Sequence, residues 1–68
     1  MSVYKVIEIV GTSPDSWEAA AAAAVSKASG SLRDLRVGKA TEFDLTISDN
    51  GSVEAYRVKL AVSFKFED

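Results

Sequence analysis

Glu42 and Asp44 stand two residues apart, and Asp49 and Asn50 follow within six, so oxygen donors collect in one stretch of chain. Such a stretch suits a hard cation. Calcium takes roughly six to eight oxygen ligands and accepts carbonyls and water among them. The chain contains no cysteine and no histidine, so thiolate and imidazole ligands are excluded and softer metals are disfavoured. One chain offers few acids in one place. A calcium site built on Glu42, Asp44 and Asp49 is therefore expected to be shared between subunits or completed by water. A plainer reading competes with it. Each strand acid has a basic residue to pair with, and Asp49 and Asn50 are natural turn formers.

Nucleophilic and acid–base chemistry has less to work with. Ser13 and Ser16 have no histidine to activate them. Lys5, Lys39 and Lys59 sit in polar alternation with acids nearby and read as surface residues. Gly11-Thr12-Ser13 ahead of a helix resembles an anion-binding turn. It lacks the length and the lysine of a phosphate loop, so it reads as a turn plus a cap. An enzyme is not expected.

These residues need elements to hold them. Leu35 to Ser48 and Ser52 to Phe66 are two runs of alternating character joined around Asn50-Gly51. Asn-Gly favours a type I′ hairpin turn, which requires positive φ at both central residues. With those two as the loop, paired residue numbers sum to 101. Leu45 then faces Tyr56, Phe43 faces Val58, Val37 faces Phe64 and Leu35 faces Phe66. On the other face Asp44 meets Arg57, Glu42 meets Lys59 and Ala40 meets Ala61, while Arg36 meets Lys65 unfavourably. Gly38 is the expected bulge, since glycine inside a strand often marks one. A long ribbon with one apolar face needs a cover.

The cover is a helix. Ser13 can cap it, Pro14 suits its first position and Asp15 favours its positive end. The alanine run from Ala19 to Ala24 has the best helix propensity. Trp17, Ala21, Ala24, Val25 and Ala28 fall on one stripe, and Gly30 is the expected stop. Ser2 to Val10 reads as a strand, with Gly11-Thr12 as the turn into the helix. The expected fold is α+β, a β-α-β-β chain whose three-stranded antiparallel sheet holds one helix.

At 68 residues the chain is one domain, 1–68. A chain this small buries only about 60% of its unfolded surface and is marginal alone. Without disulfides or thiolate metals, and with 47% apolar residues, oligomerisation is the expected remedy; a monomer with an ordinary core is the alternative. The formal net charge of −2 gives no field for nucleic acid. No apolar run approaches the roughly 20 residues of a membrane span. The N-terminus enters a strand directly, unlike a signal peptide, so the expected location is the cytoplasm.

The whole chain resembles a dodecin. The resemblance rests on Tyr4-Lys5-Val6-Ile7-Glu8-Ile9-Val10-Gly11-Thr12-Ser13, the alanine-rich helix, and the closing Ala61-Val62-Ser63-Phe64-Lys65-Phe66-Glu67-Asp68. It implies a hollow homododecamer of β-α-β-β subunits that stores or buffers a small ligand, in most members flavin bound in pairs at subunit interfaces. The flavin-binding pattern has a stacking Trp at the start of the second strand. The matching position here is Val37, or Gly38 when aligned from the hairpin. It also has a Gln on the third strand that bonds the flavin edge, and Arg57 stands there. A lost stacking contact is worth about 1–3 kcal/mol, so riboflavin or FMN binding is expected to be weak. The chain is most similar to a Trp-lacking branch, some of whose members bind calcium. A flavin store with a rebuilt pocket is the alternative.

Overall fold

The computed structural model describes residues 1–65. Strand β1 spans Tyr4–Ser13, helix α1 Trp17–Ser29, strand β2 Leu35–Ile47 and strand β3 Val53–Lys65. The fold is α+β with the expected β-α-β-β order. The sheet is antiparallel in the order β1-β3-β2, so the last strand is the central one.

The helix lies on one face of that sheet. Val58, Leu60 and Val62 alternate along β3 and are buried beneath Ala20 and Ala24 of α1. Ile7, Ile9, Ala21 and Leu35 pack around this nucleus. The expected helical stripe missed Ala20, which is fully buried, and included Trp17 and Val25, which are more than a third exposed. The reason is Gly11. It pairs with Val58 directly under the helix. A Cβ there would stand 2.0 Å from the Ala20 carbonyl oxygen and 2.8 Å from Ala24 Cβ. A bare backbone lets the methyl-lined face of α1 settle onto β1, and that contact sets which alanines are innermost.

The helix also starts later than its sequence suggests. β1 runs on through Gly11, Thr12 and Ser13, which pair with Val58, Arg57 and Tyr56. The sheet claims the Ser13 backbone, so Ser13 cannot be the cap and Pro14 and Asp15 form the bend. Ser13 Oγ accepts from Asp15 N at 3.0 Å, and Ser16 caps the helix, its Oγ accepting from Ala19 N at 2.9 Å. Gly30 ends the helix as expected, with a right-handed φ of −74°.

The hairpin keeps the 101 register from Glu42–Lys59 through Thr46–Ala55. Three irregularities shift it, one of them next to the turn, where Ile47 pairs with Val53 and Glu54 is left over. Ala40 pairs with Leu60, Val37 with Ser63 and Leu35 with Phe64, which corrects the expected partners Ala61, Phe64 and Phe66. Phe66 itself lies outside the described residues. Away from the turn the shifts fall at Thr41 and Arg36, not at Gly38, which pairs regularly with Val62. Thr41 Oγ1 donates to the Lys59 carbonyl at 3.2 Å, a side-chain bond that compensates for the broken ladder there. The turn differs as well. Gly51 N donates to Ser48 O and Ser48 N to Ser52 O, both at 2.9 Å. Gly51 has φ +86°, and the only positive φ among described non-glycine residues is at Asp34. The loop is thus a three-residue turn with left-handed Gly51, and Asn50 is not left-handed.

The resulting shape is long and thin, 52 × 20 × 14 Å, with a radius of gyration of 14.0 Å. A compact chain of this length would have about 11 Å. The accessible surface is 4985 Å², against about 4,200 Å² for a compact monomer of this mass. Among the described residues five form the buried apolar core, while Val6, Val10, Val37, Phe43 and Ile47 are each more than half exposed.

Candidate functional site on the open sheet face

Cross-strand partners share a sheet face, so the pairings define what the helix leaves uncovered. Rows of Thr12–Arg57–Asp44, Val10–Lys59–Glu42, Glu8–Ala61–Lys39 and Val6–Ser63–Val37 line the face opposite α1. Its centre is charged and its other end carries the exposed valines.

The charges are paired. Arg57 Nε lies 2.9 Å from Asp44 Oδ1. The contact is off-line for a hydrogen bond, so Nε has no aligned acceptor and the attraction is ionic. Both side chains are exposed enough that such a pair contributes about 0–1 kcal/mol. Lys59 Nζ lies 3.7 Å from both Glu42 and Glu8. Glu8 is the member that the sequence did not expose, because it comes from β1 and the β1–β3 register cannot be read from the hairpin.

Among the proposed cation ligands, Glu42 and Asp44 share this face, about 7 Å apart along the strand. Asp49 stands at the hairpin tip beside Ile47, Ser48, Asn50 and Glu54. Among the described residues, no three Asp, Glu, His or Cys side chains converge as a metal ligand set. One chain therefore does not bring Glu42, Asp44 and Asp49 together.

The flavin-position residues are also dispersed. Val37 is on the open face, whereas Gly38 is on the helix side, 4.0 Å from Val25 when a Cβ is placed on it. Val37 and Arg57 lie six residues apart along the sheet, or about 20 Å. A ligand of flavin size touching both would have to take them from different chains. The aromatic residues gather elsewhere. Trp17 meets Tyr56 edge-on at 5.2 Å and Phe43 at 6.0 Å, and its Nε1 donates to the Asp44 carbonyl at 3.4 Å. Trp17 and Phe43 of this cluster, with Ala21, Ala40 and Val58, border an open apolar cleft of about 380 Å³ on the helix side.

The unit so defined is a small α+β protein with a helix on one side of an antiparallel sheet and a charged, part-apolar face left open on the other. The Dodecin family model matches residues 3–67. A curated relative, the calcium dodecin of Mycobacterium tuberculosis, is 55% identical over 65 residues, 96% of this chain and 90% of its own. The dodecin of Thermus thermophilus is 42% identical over 97% of this chain and 94% of its own. A crystal structure of the M. tuberculosis protein, described as calcium-chelating with a novel calcium-binding site, superposes with a TM-score of 0.86. That alignment has 53% identity and covers 97% of this chain and 93% of that one. The chain belongs to the dodecin family.

Proposed function

We propose that the protein is a non-enzymatic homododecameric shell that binds and stores a small ligand, and that the ligand is calcium held by carboxylates from neighbouring subunits. The observation that carries this reading is the mismatch between surface and core. Five buried apolar residues among those described sit beneath 4985 Å² of surface, with valines exposed on the open face. Copies of the chain would cover that surface and bring together acids that one chain holds apart. The calcium dodecin relative supports the choice of cation. Glu42, Asp44 and Asp49 are the proposed ligands, with Asp49 first because it lacks an ion-pair partner among the described residues. Calcium titration by calorimetry tests this. Asp44→Asn and Asp49→Asn should weaken binding; unchanged affinity in both would remove these acids from the site.

A flavin store for riboflavin or FMN is the second reading. Its support is the Arg57 guanidinium, a planar cation able to stack or to pair with a phosphate. It ranks lower because Val37 and Gly38 offer no aromatic face and Arg57 is engaged by Asp44. A colourless purified protein without a flavin spectrum favours the calcium reading.

No helix among the described residues is long and apolar enough to cross a membrane.

A further inference from the structure

The hairpin tip joins a reactive dipeptide to a set of restraints. An asparagine followed by glycine is the sequence most open to intramolecular cyclisation, because no Cβ on the glycine shields its backbone nitrogen. Asn50-Gly51 is such a pair, and it is exposed. Yet both reacting groups are occupied. Gly51 N–H, the nucleophile once deprotonated, donates to Ser48 O at 2.9 Å. Asn50 Oδ1 lies 2.5 Å from Ser48 Oγ, 2.7 Å from Ser52 Oγ and 3.1 Å from Ser52 N. The two hydroxyls also touch each other at 2.8 Å. The serines thus form a clamp on the asparagine side chain, closed by the Ser48 N to Ser52 O bond at 2.9 Å.

We infer that Asn50 is a conformationally gated modification site, held intact by the Ser48–Ser52 clamp and converted to aspartate and isoaspartate when the hairpin tip opens. In the open tip, Gly51 N bonds to Asn50 Cγ, the Cγ–Nδ2 bond breaks, and ammonia leaves carrying the amide proton. The five-membered imide then takes up one water. Opening at Cγ gives aspartate; opening at the backbone carbonyl gives isoaspartate, with the chain rerouted through the side chain. No oxidant or reductant takes part. Each product adds a negative charge beside Asp49 and Glu54. Isoaspartate also lengthens the backbone by one carbon inside the three-residue hairpin turn. Modification therefore reports, and then perpetuates, loss of the hairpin end.

The clamp could act in the opposite sense, since donors on Oδ1 also polarise Cγ toward attack. Geometry decides against this, because the attacking N–H is tied to Ser48 O on the other side of the turn. The experiment separates the two. The intact protein, the Ser48→Ala/Ser52→Ala double variant and an unstructured peptide spanning 46–54 are incubated at mildly alkaline pH. Peptide mapping by mass spectrometry then follows the 1 Da gain at Asn50. The folded wild type should react roughly tenfold or more slowly than the peptide, and the double variant roughly tenfold faster than the wild type, as expected for losing two modest hydrogen bonds. A wild type reacting at the peptide rate, or a folded double variant reacting no faster than wild type, overturns the inference. Should the double variant lose its native circular dichroism, the wild type in denaturing urea replaces it. Acceleration to the peptide rate is then expected, and an unchanged rate contradicts the gate.

Discussion

Asp44 and Arg57 face each other across the β2–β3 ladder, with Oδ1 2.9 Å from Nε. The pair neutralises one of the acids proposed to hold calcium. Lys59, 3.7 Å from both Glu42 and Glu8, restrains a second, Glu42. A cation at this face must therefore compete with protein ammonium and guanidinium groups. Arg57→Gln is expected to strengthen calcium binding several-fold, and Lys59→Gln to do the same, read by calorimetric titration. Unchanged binding in both variants would place calcium away from these acids.

Gly11 beneath Ala20 gives a stability prediction with an internal control. Gly11→Ala puts a Cβ 2.0 Å from a helix carbonyl oxygen, so the helix must lift. Overpacking of this kind costs about 1–3 kcal/mol or more. Gly38→Ala meets only Val25 Cγ2 at 4.0 Å and should gain about 0.5–1 kcal/mol from reduced chain entropy. Urea unfolding of both variants checks the contrast, and equal midpoints would contradict it.

Trp17 ties the helix start to the hairpin through Phe43, Tyr56 and the Asp44 carbonyl. A buried Trp→Ala change costs about 3–5 kcal/mol, and partial exposure here should reduce that to about 2 kcal/mol. Trp17→Phe should recover most of the loss while forfeiting the hydrogen bond. Denaturation followed by circular dichroism measures both.

What the sequence made legible follows from range of interaction. The Asn50-Gly51 loop and the charge pairs 42–59 and 44–57 lie within one hairpin, so local turn chemistry and face matching located them. The turn type was misread by one residue because a left-handed Gly51 alone suffices. The bulge at Thr41 was hidden, since a threonine hydroxyl reaching the Lys59 carbonyl leaves no compositional mark. Gly11 was read as a turn because its reason, the Ala20 backbone passing overhead, is tertiary. The helix start moved to Ser16 for the same cause, as β1 keeps pairing through Ser13. At the candidate site, the acids were visible as residue types, but Glu8 joined Lys59 only through the β1–β3 register.

Flavin binding gives a gain-of-function prediction. Riboflavin and FMN should quench weakly, if at all, in fluorescence titration of the unmodified protein. Val37→Trp combined with Arg57→Gln should tighten binding, because a stacking ring restores about 1–3 kcal/mol. Tight stoichiometric binding by the unmodified chain would instead show that another residue supplies the stacking platform.

Native mass spectrometry of the protein with calcium, before and after a chelator, tests the central proposal most directly. The account predicts one species of twelve 7.3 kDa chains that retains calcium and loses it to the chelator. A folded monomer at micromolar concentration that carries no calcium would contradict it.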